Sequence, residues 1–267
     1  MLNDFMPIKK DLKAPSVNGE ITIVPLADAH YGAKEFNQKR WDDAIKRIKD
    51  DPNCYAVLVG DMIDNGLKNS VTNVYEQTCM PGEQKKWLAN ALEPIKDKII
   101  AAVGGNHERR TSRETDNDPL YDVLVRLGIE TVYRSRIAFL YLRILYANDE
   151  RHAKAKYAIA ITHGAGGGMY MASGANRVAN YAAYIDGIDC IVTGHTHKPI
   201  TFPVSKLEFD DHELTVRQKQ FTVVTASSFL DYGGYAIEKM LPPTGNALTE
   251  IRLAYTGTEE KNIRVTQ

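Results

Sequence analysis

Five short apolar runs in this 267-residue chain each lead into a side chain able to bind a metal. They are ITIVPLAD (21–28), YAVLVGD (55–61), IIAAVGGN (99–106), residues 156–162 running into His163, and DCIVTGH (189–195). Runs this short and this uniformly apolar read as buried strands rather than helices. Helical patterns lie between and around them. Arg40–Lys49 puts Trp41, Ala44, Ile45 and Ile48 on one face. Residues 83–98 read as a helix disturbed at Pro94. Asp118-Pro119 reads as an N-cap with a first-turn proline, and Gly128 as the stop of a short amphipathic helix. Asn176–Ile185 also reads as helical.

The second half is richer in strand signals: residues 136–147, then TFPV, LTVRQ, FTVVTA and TEIRLAY after Thr201. Strand–helix alternation followed by strands predicts an α/β fold, a two-sheet β-sandwich flanked by helices. No repeat or linker divides residues 1–267, so one domain is expected, with residues 1–19 as a polar N-terminal arm lacking a clear period. Ligand sites in α/β sheets gather at the C-terminal ends of strands, where these polar residues fall.

Charge and cysteine content narrow the classes. Thirty-three basic residues against thirty-four acidic ones give a net charge of −1. That disfavours a protein that coats nucleic acid and leaves room only for a local basic patch. Three cysteines, with no C-x-x-C pair, argue against a disulfide framework or zinc knuckle. Cys54, Cys79 and Cys190 are expected to be small buried side chains in a cytoplasmic, reducing setting. The first residues lack a signal-peptide core and the apolar runs are too short to span a bilayer, so no membrane partner is expected. No motif bears on oligomeric state.

The polar residues form five segments: Asp28-Ala29-His30, Gly60-Asp61-Met62-Ile63-Asp64, Gly105-Asn106-His107-Glu108, Thr162-His163-Gly164 and Gly194-His195-Thr196-His197. Five of the seven histidines lie in them, leaving His152 and His212 outside, which packing alone would not produce. Each piece alone has an ordinary reading. D-x-H and G-D-x-x-D suit turns or caps, G-N-H-E suits a turn, and a single His163 suits a satisfied core histidine. H-x-H is a better ligand signal, because positions i and i+2 face the same side of an extended chain.

In this order the segments resemble the signature of the calcineurin-like metallophosphoesterase superfamily, over residues 28–197. The resemblance implies a hydrolase with a dinuclear metal centre. Asp28, His30, Asp61 and His197 would hold the first metal, and Asp61, Asn106, His163 and His195 the second, with Asp61 bridging. It implies His107 as the catalytic histidine and Asp64 as its orienting partner. Two metals clamp the attacking and leaving oxygens of an in-line displacement and activate a hydroxide as nucleophile. The imidazole-rich, thiolate-free ligand set suits manganese, with iron, zinc or cobalt as alternatives. His107 would protonate the departing oxygen, and Asp64 would keep its ring oriented.

Within the superfamily, G-N-H-E resembles the protein serine/threonine phosphatases, but D-A-H-Y-G and G-D-M-I-D-N-G depart from their first two segments. The family's nucleases usually add capping domains and basic surfaces, for which this chain is short and neutral. The overall resemblance is nearer to small bacteriophage or prophage phosphoesterases. It rests on His163-Gly-Ala-Gly-Gly-Gly168, Asn176-Arg177 and Ser228–Tyr235. Arg109, Arg110 and Arg177 read either as solvated surface residues or as a bidentate phosphate clamp. Tyr170, Tyr232 and Tyr235 read as ordinary tyrosines or as stacking platforms for a base. The expected substrate is a phosphate ester, foremost a nucleotide or short single-stranded nucleic-acid phosphodiester. The alternatives are phosphomonoester hydrolysis and a non-catalytic scaffold.

Overall fold

The computed structural model describes residues 4–13, 19–68, 70, 74–146, 149–168, 170–255 and 261–267. In chain order its elements are β1 (Ile8–Lys13), β2 (Glu20–Leu26), α1 (Gln38–Asp50), β3 (Cys54–Leu58), α2 (Pro81–Leu92), β4 (Ile99–Val103), α3 (Asn106–Thr115), α4 (Pro119–Leu127) and β5 (Tyr133–Arg134). There follow β6 (Ile137–Tyr146), β7 (Asp149–Thr162), α5 (Met171–Ala183), β8 (Cys190–Thr193), β9 (Ile200–Asp210), β10 (Thr215–Thr225), α6 (Gly234–Glu238), β11 (Glu250–Ala254) and β12 (Ile263–Thr266).

The apolar runs behave as strands buried on both faces. Ile21 and Ile23 of β2 point into a core shared by two sheets, while Val24 and Leu26 join a second core beneath helices. One six-stranded sheet runs β12-β11-β2-β3-β4-β5, with β2 to β5 parallel. The other runs β1-β6-β7-β8-β10-β9, with β7, β8 and β10 parallel. Between the sheets pack Val57, Val103, Leu140, Leu142, Ile159 and Val192. Residues of α1, α2 and α4, among them Trp41, Leu88 and Leu124, cover the outer face of the first sheet. Ala182 and Val178 of α5 pack on Phe202, Phe221 and Val223 of the second. This is the two-sheet sandwich flanked by helices that the sequence predicts.

Local signals explain the helix limits. The Asp118 side chain accepts from the amides of Leu120 and Tyr121, Pro119 opens α4, and Gly128 closes it in the left-handed region at φ 72°. Pro94 falls where α2 gives way to a 3-10 segment, Glu93–Lys98. On α1, Trp41, Ala44 and Ile48 are buried, whereas Ile45 is half-buried.

Several expectations need correction. The segment read as a polar arm contains β1, whose residues pair parallel with β6 from Ile8↔Leu140 to Lys13↔Leu145. Only Ile8 and Leu12 of β1 are buried, a four-residue spacing that alternation-based reading misses in a lysine-rich strand. LTVRQ and FTVVTA form one strand, β10, and the last helix before β8 begins at Met171 rather than Asn176. Cys54 and Cys190 are buried but Cys79 is only half-buried, and all three are free thiols.

The status of β1 as an integral strand yields a direct expectation. Ile8→Ala removes buried methyl groups from the inter-sheet core and should destabilise the protein by about 2 kcal/mol or more. Lys9→Ala, on an exposed neighbour, should change stability by about 0.5 kcal/mol or less. Urea unfolding of the two variants makes the comparison; equal, negligible effects would return residues 8–13 to the status of a loose arm.

Candidate metal centre

Three neighbouring parallel strands of one sheet and two of the other end at the same edge of the sandwich. Asp28 and His30 follow β2, Asp61 and Asp64 follow β3, and Asn106 opens α3 after β4. His163 follows β7, and His195 and His197 follow β8. Backbone bonds carry the alignment past the formal strand ends: the amides of Asp28 and His30 donate to the carbonyls of Gly60 and Asp61 at 3.1 and 2.9 Å. Two further bonds join the sheets. His163 Nδ1 lies 2.7 Å from the Val59 carbonyl, and the His195 amide donates to the Asp28 carboxylate at 2.8 Å.

The seven predicted ligands converge. His197 Nε2 lies 3.3 Å from Asp28 Oδ1 and 3.1 Å from His30 Nε2. On the other side, His163 Nε2 lies 3.1 Å from Asp61 Oδ2, 3.0 Å from Asn106 Oδ1 and 3.2 Å from His195 Nδ1. Asp28, His30 and His197 form one group of converging donors, and Asp61, His163 and His195 another. Asp61 Oδ2 is also 3.8 Å from His30 Nε2, so one carboxylate oxygen faces both groups. The donor atoms fit a metal. Several ring nitrogens and carboxylate oxygens crowd each centre, and one proton cannot satisfy them all. The Val59 carbonyl, by engaging Nδ1 of His163, leaves Nε2 as the inward-facing donor.

Reaching this geometry costs backbone strain. Asp28, His30, Asp61, His195 and His197 all have positive φ, between 48° and 67°. Side-chain-bearing residues seldom adopt that region, and such conformations persist where surrounding contacts fix them. Two glycines make the fit possible. A Cβ at Gly105 would lie 2.1 Å from Asp61 Oδ1, and one at Gly194 would lie 2.6 Å from Asp28 Oδ2.

His107 lies beside the centre. Its Nδ1 is 2.6 Å from the Asp64 carbonyl and 3.4 Å from Asp64 Oδ1, and its Nε2 is 3.8 Å from Asp61 Oδ2. Asp64 therefore meets the ring through its carbonyl more closely than through its carboxylate. The three arginines have different settings. Arg110 reaches His107 Nε2 at 2.9 Å and donates to the Asp64 carbonyl at 3.0 Å. Arg109 donates to the Gly104 carbonyl at 3.1 Å. Arg177 is exposed on α5, where a Cβ on Gly166 would meet its guanidinium carbon at 2.4 Å. Close packing of Gly174 on Thr196 also sets α5 and the 164–168 loop against the His195–His197 segment. Tyr170 is exposed, the Tyr232 hydroxyl donates to the Leu241 carbonyl at 2.8 Å, and the Tyr235 side chain lies outside the described residues.

Three supporting residues have no role assigned from the sequence. Glu108 is fully buried and accepts from the amides of Gly105 and Asp61 at 2.9 Å and of Met62 at 2.7 Å. It ties the start of α3 to the Asp61 turn. A glutamate three residues past a helix N-cap is a readable capping signal, but only within a recognised helix, and α3 is not evident in N-H-E-R-R-T-S-R. Asn65, buried with φ 46°, donates to the His107 carbonyl at 2.6 Å and to Thr111 at 2.9 Å. Gln84 of α2 accepts from the Asn65 amide at 2.8 Å.

Burial and charge shift the titrating groups in opposite directions. Burial lowers His163, but Asp61 outweighs it and pushes the imidazole up to about 9. Burial raises Asp61, yet His163 and His107 hold it well below the carboxylate range. Burial, then the charge of His107, pushes His30 down to about 4, and burial with His163 lowers His195. Burial lowers His107 while Asp61 and Asp64 more than offset it, leaving a net rise.

Fold and site together define a class: an α/β sandwich whose strand ends gather His, Asp and Asn donors for divalent metal ions. The chain matches the model of the calcineurin-like phosphoesterase family over residues 21–199, and it belongs to that family. It is therefore a metal-dependent phosphoesterase by family. Among solved structures it is similar to a metallophosphoesterase from Sphaerobacter thermophilus, at 11% identity and a TM-score of 0.41, covering 92% of this chain and 89% of that one. No curated protein matches the chain. Among the described residues, no helix is long and apolar enough to cross a membrane.

The His163–Asp61 pair should make any metal binding there pH-dependent. Below about 9, the metal-free protein holds a proton on His163 that an incoming ion must displace. Apparent affinity should therefore tighten by about tenfold per pH unit from neutrality and level off above that value. Chelator competition measures the slope, which should vanish in His163→Gln. A flat profile in the unaltered protein would contradict the arrangement.

Proposed function

We propose that the chain hydrolyses phosphodiesters, foremost nucleotides or short single-stranded nucleic acids, with two divalent transition metals, manganese preferred. The observation that carries the dinuclear reading is Asp61 Oδ2, which faces His163 at 3.1 Å and His30 at 3.8 Å from opposite groups of donors. Asp28, His30, Asp61 and His197 would hold one ion, and Asp61, Asn106, His163 and His195 the other. When bound, the ions supply the positive charge that activates water and stabilises the developing charge on the phosphoryl group.

The chain's own groups handle the proton. His107 donates to the departing oxygen from Nε2, with Nδ1 fixed by Asp64. Arg110 sits on that same Nε2, so it must leave for the proton to be carried there. A phosphoryl oxygen is the natural replacement partner for its guanidinium. Arg110 on Nε2 opposes the imidazolium, though Asp61 and Asp64 outweigh it; turning Arg110 to substrate would favour the protonated ring further. Substrate binding would thus free Nε2 to carry the proton. Arg109, held on Gly104, and Arg177, exposed on the rim, are left for more distant parts of the substrate.

Support for a diester is the departure of the first two segments from the protein-phosphatase pattern, together with the glycine-rich rim at 164–168. Near-neutral charge supports a small substrate over long duplex DNA, whose binding needs many basic contacts. The monoesterase alternative draws on Arg110, whose charge suits a dianionic phosphate. The complete ligand set and His107 speak against a scaffold. Likeness to small phage or prophage phosphoesterases rests on the 163–168, 176–177 and 228–235 stretches alone.

Manganese-loaded protein assayed by kcat/KM should prefer cyclic nucleotides and short oligonucleotides over nucleoside monophosphates. His107→Asn should keep its metals and lose about 10²–10⁴-fold on these alkoxide leaving groups, but far less on nitrophenyl esters, which need little protonation. Preference for monophosphates would promote the monoesterase reading; an equal loss on both leaving groups would remove His107 as the acid.

A further inference from the structure

The outer half of the β9–β10 hairpin stands clear of the sandwich, exposed or half-buried from Lys206 to Lys219. Its two faces differ. The register sets Phe209 opposite Val216 and Leu207 opposite Gln218. Alternation then places Leu207, Phe209 and Val216 on one face, with Leu214 at the tip. They are 76%, 64%, 61% and 77% exposed, respectively. The other face is charged: Lys206 lies opposite Lys219, and Glu208 opposite Arg217. An apolar strip this exposed marks a contact surface.

β9 is also the edge of its sheet, and β10 is its only strand partner among the described residues. Pro203, opposite Thr222, shows which residues face the open side. A proline has no N–H to give, so within a ladder it is tolerated where its nitrogen points away from the neighbouring strand. Counting by twos, Ser205, Leu207 and Phe209 turn their N–H and C=O groups to the open edge.

We propose that this edge is a homodimer interface, in which β9 pairs antiparallel with the same strand of a second copy about a two-fold axis at Leu207. The charges select the occupant and the register. Centred on Leu207, each Lys206 lies opposite the partner's Glu208, and the reverse holds by symmetry. Centred on Lys206 or Glu208, like residues would face each other; centred on Phe209, Glu208 would face the partner's Asp210. Centred on Ser205, Pro203 would enter the new ladder and forfeit a hydrogen bond. In the favoured register Leu207 meets the partner's Leu207, and Phe209 lies beside the partner's Ser205. Within each copy Lys206 also pairs with Asp186, and Glu208 with Lys219 at 3.2 Å, so the new pairs extend an existing row of alternating charge. A lysine on an edge strand discourages pairing with arbitrary strands, while a glutamate two residues on admits this one.

Sedimentation velocity on the full chain tests this. The unaltered protein should dimerise. Glu208→Lys and Lys206→Glu should each weaken the dimer about tenfold or more by setting like charges opposite, and combining them should restore it. In a Cys79→Ser background, Leu207→Cys should form a disulfide-linked dimer on oxidation, since facing hydrogen-bonded residues sit about 5.5 Å apart, within disulfide reach. Ser205→Cys, which would face Phe209, should not. Protein that stays monomeric at every concentration, or a dimer indifferent to both charge reversals, would overturn the proposal.

Discussion

The architecture turns on the carboxylate of Asp61. One of its oxygens accepts the His107 amide at 2.8 Å, and the other faces His163 at 3.1 Å. It thereby touches the start of α3, the end of β7 and, at 3.8 Å, His30 beyond β2. A buried carboxylate set among imidazoles must be balanced by positive charge. In the metal-free protein the protonated imidazole of His163 supplies that charge, a role that bound metal ions would take over. The sheets, the glycines and the helix start can be read as the frame that makes this one group tolerable.

That frame is stiff for a reason. Five of the converging residues stand at positive φ, a conformation the chain adopts only where neighbours impose it. The neighbours are identifiable. Glu108 gathers three amides around the Asp61 turn, and Asn65 and Gln84 lock the loop that carries Asp64. Gly105 lets the carboxylate approach where any Cβ would collide. Donors held this way need little reorganisation when an ion or a substrate arrives, which is how rigid elements improve a site.

The convergence of these side chains was legible in the sequence because each follows an apolar run, and the run fixes where the strand must end. Asp28, Asp61, Asn106, His163 and His195 could be placed together from that pattern alone, and Pro119 and Gly128 likewise announced α4. What stayed hidden depends on contacts between segments distant in sequence. Nothing local marks Glu108 as a triple amide acceptor, because its partners lie on two different strand ends. The separate contacts of Arg109 and Arg110 follow from the helical turn of α3, whose polar sequence lacks an apolar stripe. β1 was obscured by its lysines, two exposed and Lys10 half-buried between Ile8 and Leu12, which alone are buried.

The most direct test of the central claim is the metal content of Asp61→Asn. Asparagine keeps an oxygen for the His107 amide but removes the charge that faces both groups of donors. Elemental analysis should find two ions per chain in the unaltered protein, with both sites depleted in the variant and its circular dichroism unchanged. A full complement of two ions in Asp61→Asn would show that Asp61 does not join the sites, and the account built on it would fall.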